Sequence, residues 1–208
     1  MNQNVSLKAA LNVPNLLTAI RLFLSILLFL FIGIAQSETV DTAQQSTCYW
    51  IALVLFAIAA GTDWVDGYWA RKYGQVTVVG RIFDPFADKV IICGTFIFLV
   101  GSPHSQVAPW MAVVVTGREL LVTALRGFFE QQGTDFSAKM AGKLKMVLQC
   151  IAALASLYLL ATTGEEPPVA SLAYTVWGIL WATILLTLYS GGEYVVGAWR
   201  LMRKMARE

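Results

Sequence analysis

The chain has 208 residues, of which 57% are hydrophobic and only 13% charged, and its mean hydropathy is +0.64. Soluble domains carry about 25% charged residues, so this composition excludes an ordinary soluble protein and describes one embedded in lipid. The net charge is only +2, and no nucleic-acid partner is expected. Cys48, Cys93 and Cys150 stand far apart, and His104 is the single histidine, so neither a disulfide framework nor a zinc site is expected.

Met1 to Val13 is polar with scattered Val and Leu, and reads either as a short helix on the membrane surface or as a frayed terminus. Pro14-Asn15 opens an apolar segment over 16–35. About 20 apolar residues cross a bilayer, so this segment spans. Gly33-Ile34-Ala35 resembles a signal-peptidase site, but the length of the segment and Arg21 within it argue for retention. Asn15, Thr18 and Arg21 fall near one helical face; Arg21 either points at a ligand or snorkels to the interface. A polar loop over 36–47 contains Glu38 and Asp41 and no base. The second span covers 48–70, with its helix continuing to Tyr73, and the third covers 84–101, with Pro85 in its first turn. His104 lies in the following loop and is expected to be solvated.

The fourth span, 108–129, carries Arg118-Glu119 at its middle and Arg126 eight residues on. Charges inside a span usually face a cavity or a partner. Positions 118 and 126 are separated by about 80° on a helical wheel, so one broad face can hold both. Arg118 is either a ligand-binding residue or the structural partner of Glu119. A polar connection leads past Lys139, Lys143 and Lys145 into the fifth span, 144–162. The sixth covers 170–189 and can continue to Trp199, and the tail carries Arg200, Arg203, Lys204 and Arg207, which suit anionic lipid heads. Basic residues cluster at the N-terminus, in 71–89, in 126–145 and in the tail, while the loops at 36–47, 102–107 and 163–168 have none. This alternation predicts six spans in one membrane-embedded domain over 1–208, with both termini on the cytoplasmic side.

The stretch over 61–89 reads GTDWVDGYWARKYGQVTVVGRIFDPFADK. Asp63 and Asp66 close the second span, and Asp84 and Asp88 open the third. Spacings of three and four put each pair on one helical face. Four carboxylates converging at a membrane face repel one another and resist burial. Hard divalent cations such as Mg²⁺ or Mn²⁺ relieve both penalties through all-oxygen ligation. Gly67, Ala70 and Gly80 are small enough for a bulky anion to approach the backbone, and Arg71 can fork onto phosphate. Such a site can bind a lipid diphosphate and support in-line displacement at phosphorus, with one acid accepting a proton from the attacking hydroxyl.

The pattern Asp63-x-x-Asp66-Gly67-x-x-Ala70-Arg71, then Gly80-x-x-x-Asp84-x-x-x-Asp88, resembles the full signature of the CDP-alcohol phosphotransferases. The resemblance implies the all-α polytopic fold of that superfamily, two metal ions per site, a homodimer, and transfer of a phosphoryl-alcohol unit from a CDP-linked donor with loss of CMP. It further implies that Asp63, Asp66 and Asp84 hold one ion and that Asp63, Asp84 and Asp88 hold the other. Asp88 becomes the general base, and Gly67, Arg71 and Thr77 contact the CDP group. Asn12-Val13-Pro14-Asn15-Leu16-Leu17-Thr18-x-x-Arg21, together with Gly117-Arg118-Glu119 to Arg126 and Gly142-Lys143-Leu-Lys145-x-x-x-Gln149, is similar to bacterial phosphatidylglycerophosphate synthases. That likeness implies CDP-diacylglycerol as donor, glycerol 3-phosphate as acceptor and a bacterial cytoplasmic membrane with the site facing the cytoplasm. Glycerol 3-phosphate is a soluble dianion and needs several cations; Arg118, Arg126, Lys143 and Lys145 are the candidates, and Lys139 serves equally well as a membrane anchor. The alternatives are a cardiolipin synthase using phosphatidylglycerol, an inositol-phosphate acceptor, an intramembrane prenyltransferase and a divalent-cation transporter.

Overall fold

The computed structural model describes residues 13–73, 78–132, 140–163 and 168–205, with side chains for 16–62, 86–102, 104–129, 131–132, 140–163 and 168–203. The described residues form six α-helices: α1 Val13–Ala35, α2 Thr42–Tyr73, α3 Val78–Val100, α4 Pro109–Gln131, α5 Met140–Thr162 and α6 Ala170–Met205. A short 3₁₀ turn, Pro103–Ser105, joins α3 to α4, and no strand occurs among the described residues. Among the described residues four stretches are long and apolar enough to cross a membrane: Leu16–Ala35, Thr42–Thr62, Met140–Thr162 and Ala170–Arg203. Helices α3 and α4 match α5 in length at 23 residues each, but they carry the Asp88-Lys89 and Arg118-Glu119 charges.

The helix ends differ from those expected. Asp41, read as a solvated loop acid, caps α2: its Oδ1 accepts the backbone N–H of Gln44 at 2.8 Å. This satisfies one of the donors orphaned at a helix start, so α2 begins at Thr42 and the loop before it is short. Helix α3 begins at Val78 rather than near Asp84, which makes Pro85 its eighth residue and not part of its first turn. Helix α5 begins at Met140, and α6 runs past Tyr189 and Trp199 to Met205. At about 1.5 Å per residue, its 36 residues exceed a hydrocarbon core of about 30 Å. Part of α6 therefore extends beyond that thickness, and near its C-terminal end Arg203 lies over the Trp199 ring at 5.2 Å. Residues 1–12, which hold most of the expected surface helix, and Thr77, Lys139 and Arg207 lie outside the described residues.

The helices pack in a ring in the order α1, α2, α5, α6, α4, α3, which closes back on α1, and α3 also touches α5 across it. Only three of these neighbours are consecutive in sequence, so distant segments meet on the inside. The interior is lined by Leu28, Ile32, Phe56, Phe96, Leu157 and Leu180, all fully buried. Small residues let the helices approach: Ala52 and Ala59 on α2, and Ala152, Ala153 and Ser156 on α5. Close packing of small residues is how helices associate in lipid, where burial against a neighbour gains little over contact with acyl chains. The outer faces are apolar, with Phe23, Ile26, Leu30, Val113, Leu120 and Leu185 all exposed.

Two features tie one end of the bundle together. Ser102 receives the Gln36 side-chain amide at 2.9 Å and pairs with the Tyr49 hydroxyl at 2.7 Å, linking α1 and α2 to the end of α3. Ser46 donates to the Ala161 carbonyl at 2.6 Å, linking α2 to α5. Further along, Phe29 of α1 stacks on Phe98 with ring centroids 5.0 Å apart and lies directly over Gly94, where a Cβ would collide with its ring. Gly94→Ala is therefore expected to lower stability by about 1–3 kcal/mol through overpacking. Gly178→Ala, which would meet nothing within 4 Å, is expected to change stability little. Thermal midpoints of the two variants in detergent check this, and equal midpoints would show that Phe29 yields without cost.

Candidate active site

The inner ring carries charge at one level of the bundle. Arg21, eight residues after Val13 on α1, is 1% exposed, and its Nη1 donates to Asp88 Oδ1 of α3 at 2.6 Å. Arg21 thus does not snorkel; it is a buried partner of the last signature aspartate. Removing one member of such a pair costs about 3–5 kcal/mol, because the other charge is left stranded. Ser25 donates to the Arg21 carbonyl at 2.8 Å.

Beside this pair is a cavity of about 360 Å³, floored by Ile92, Met146 and Gln149. Lys89, Arg118, Arg126, Lys143 and Lys145 line it, against the carboxylates of Asp88 and Glu119. Among the described residues the cavity lining therefore carries a formal surplus of three positive charges, a pattern that favours an anion. The four cations expected to bind acceptor phosphate are brought together here from α4 and α5. Arg118 and Arg126 share one broad face of α4, as their wheel positions allow, and both approach the ring of Tyr194 on α6.

Glu119 organises two of these cations. Its Oε1 accepts Arg118 Nη1 at 3.3 Å and also accepts Lys145 Nζ. The Arg118–Glu119 pair expected as one alternative is present, and Arg118 lines the cavity as well. Arg118 Nη2 also donates to Ser190 of α6 at 2.5 Å, and Arg126 Nη2 donates to the Tyr194 hydroxyl at 2.9 Å. The Nε atoms of Arg118 and Arg126 are buried with no acceptor among the described residues. Buried donors left unmade are costly, and an anion in the cavity is the chemistry that would satisfy them.

Of the signature aspartates, only Asp88 has a described side chain, which is 29% exposed and faces the cavity. Asp63, Asp66, Gly67 and Arg71 belong to α2 and Asp84 to α3, but their side chains lie outside the described residues, as does Thr77 altogether. Among the described residues no three His, Cys, Asp or Glu side chains come together. The donor chemistry of the signature is purely carboxylate, which fits a hard divalent ion. His104 is exposed in the 3₁₀ turn beyond the far end of α3, as expected of a solvated residue.

The sequence did not mark Lys89, Ser190 or Tyr194. Lys89 was overshadowed by its neighbour Asp88. A signal for the other two exists in the run Tyr189-Ser190-Gly191-Gly192-Glu193-Tyr194, a polar interruption within an otherwise apolar helix.

Comparison with known proteins agrees with the signature. The family model described as CDP-alcohol phosphatidyltransferase matches residues 11–189. A CDP-diacylglycerol–glycerol-3-phosphate 3-phosphatidyltransferase of Bacillus subtilis (strain 168) is 36% identical over 198 residues, covering 92% of this chain and 97% of the relative. Proteins of the same name from Mycoplasma pneumoniae and Pseudomonas fluorescens are 32% identical over 176 residues and 30% identical over 203 residues. These matches cover 80% of this chain and 77% of the relative in the first case, and 95% of both in the second. With the signature complete and both the family model and these relatives matching over most of its length, the chain belongs to the CDP-alcohol phosphatidyltransferase family.

Proposed function

We propose that this enzyme transfers the phosphatidyl group of CDP-diacylglycerol to sn-glycerol 3-phosphate, giving phosphatidylglycerophosphate and CMP. The observation that carries the acceptor assignment is the cavity in which Arg118, Arg126, Lys143 and Lys145 meet beside Asp88. A soluble phosphate dianion needs such a surplus of fixed cations, whereas a lipid acceptor brings its own anchorage in the bilayer. The names of the relatives favour the same acceptor.

In this reading the acceptor phosphate sits among the cations of α4 and α5, with its free hydroxyl toward Asp88. The hydroxyl oxygen attacks the phosphorus that bears diacylglycerol, the bond from that phosphorus to CMP breaks, and the hydroxyl proton passes to Asp88. Arg21 keeps one Asp88 oxygen occupied and the carboxylate oriented. Gly67, Arg71 and Thr77 contact the CDP group. Two Mg²⁺ or Mn²⁺ ions held by Asp63, Asp66, Asp84 and Asp88 would neutralise the diphosphate and the departing CMP.

The chain acts as one membrane-embedded domain of six spans, in which α3 and α4 also cross with their charges toward the cavity. The exposure of Ile97, Val113 and Leu120 on the opposite faces supports this. Both termini and the site face the cytoplasm of a bacterial inner membrane, as the loop charges require, and the enzyme is a homodimer.

Three outcomes follow for purified enzyme. Asp88→Asn abolishes turnover while CDP-diacylglycerol still binds, and full activity in this variant would remove the general base from Asp88. Arg118→Ala raises the KM for glycerol 3-phosphate by about 10-fold to 100-fold, the loss of a charge-assisted contact, with little change in the KM for CDP-diacylglycerol. An unchanged acceptor KM would sink the acceptor assignment. Chelation of divalent ions stops CMP release and Mg²⁺ restores it; activity that persists in excess chelator would contradict the metal assignment.

A further inference from the structure

Helix α6 contains no signature residue, yet it holds both arginines at the cavity. Tyr194 is 2% exposed, and its ring centroid lies 5.5 Å from Arg118 Cζ and 5.8 Å from Arg126 Cζ. Its hydroxyl accepts Arg126 Nη2 at 2.9 Å. One turn earlier, Ser190 is fully buried and accepts Arg118 Nη2 at 2.5 Å. Between them is Gly191, where a Cβ would stand 3.2 Å from Arg118 Cγ, so the arginine stem packs closely against this position and would have to yield by a few tenths of an ångström to a side chain there.

Drawing two guanidinium groups onto one ring opposes their mutual repulsion, and apolar packing alone does not require it. A carboxylate at this position would relieve the repulsion but would cancel the charge the cavity needs. A tyrosine attracts guanidinium through its ring face and its oxygen while adding no negative charge at neutral pH. Tyr194 therefore holds the two arginines close without adding a charge of its own to the Glu119 carboxylate that Arg118 already meets, and each arginine keeps a buried Nε donor without an acceptor among the described residues.

We propose that Tyr194, assisted by Ser190, is a positioning residue that presets the spacing of Arg118 and Arg126 for a phosphate monoester dianion, so that acceptor recognition is built in part by α6. The proposal rests on reading the cavity as the acceptor site.

The test is steady-state kinetics of Tyr194→Phe, which keeps the ring and removes the hydroxyl. The unfolding midpoint is measured alongside, with and without inorganic phosphate. The expected result is an acceptor KM raised about tenfold, with kcat and the KM for CDP-diacylglycerol within about twofold and weaker thermal protection by inorganic phosphate. Tyr194→Leu, which removes the ring too, is expected to raise the acceptor KM further. A wild-type acceptor KM in Tyr194→Phe overturns the proposal, as does an equal loss toward both substrates or a lowered midpoint with normal KM, either of which assigns Tyr194 a structural role only. Arg118→Ala run in parallel separates the two levels. If it leaves the acceptor KM unchanged, the acceptor reading itself fails; if it raises KM while Tyr194→Phe does not, only the role of Tyr194 fails.

Discussion

A charge placed between membrane-spanning helices must find an opposite charge, a hydrogen-bond partner or a polar cavity, and the interior of this bundle is arranged around that requirement. Arg21 of α1 meets Asp88 of α3, while Glu119 of α4 meets Lys145 of α5. Arg118 reaches Ser190 of α6, and Arg126 reaches Tyr194. Three of these contacts join helices that are not neighbours in sequence, the Glu119–Lys145 pair joins consecutive ones, and all of them border one cavity. The ring order of the helices brings them together: α4 packs between α6 and α3 rather than against its successor α5. Pairing is incomplete in charge among the described residues, since two carboxylates face five cations, and it is on that surplus that the acceptor-site proposal rests.

The rest of the bundle serves to hold this level still. The polar contacts around Ser102 close the opposite end, and the stack of Phe29 on Phe98 over Gly94 sets the distance between α1 and α3. That distance governs how Arg21 reaches Asp88, because both pairs lie on the same two helices. The site is thus supported from rigid elements rather than loops, which suits a reaction that depends on aligning a hydroxyl, a phosphorus and a leaving group within a fraction of an ångström.

Much of this was legible in the chain itself. An arginine within an apolar run, such as Arg118 or Arg126, is conspicuous because it is expensive, and its helical spacing from its neighbour can be computed. The aspartate signature is equally visible, since its acids and small residues recur at fixed intervals. Ser190 and Tyr194 were not legible, because hydroxyl and aromatic residues are common in membrane helices for packing and interfacial reasons, and their role depends on which helix they face. Arg21 was ambiguous for the same cause: burial against Asp88 is a tertiary fact. The helix ends were misjudged where a local cap competed with composition. Asp41 before Thr42 is a capping arrangement, but the polar run that follows, Gln44-Gln45-Ser46-Thr47, disguised it as loop. The apolar pairs Val78-Val79 and Ile82-Phe83 carry α3 back past the aspartate at 84, although the charge there marks the start of the apolar span.

The central claim is that a fixed surplus of cations beside Asp88 selects a soluble phosphate as acceptor. The most direct measurement is CMP release by the purified enzyme given CDP-diacylglycerol and Mg²⁺, with glycerol 3-phosphate, inositol phosphate or phosphatidylglycerol offered separately. Release with glycerol 3-phosphate alone is the predicted result. Release with phosphatidylglycerol alone would contradict it, leaving the aspartate chemistry in place but returning Arg118, Lys143 and Tyr194 to the architecture of the bundle.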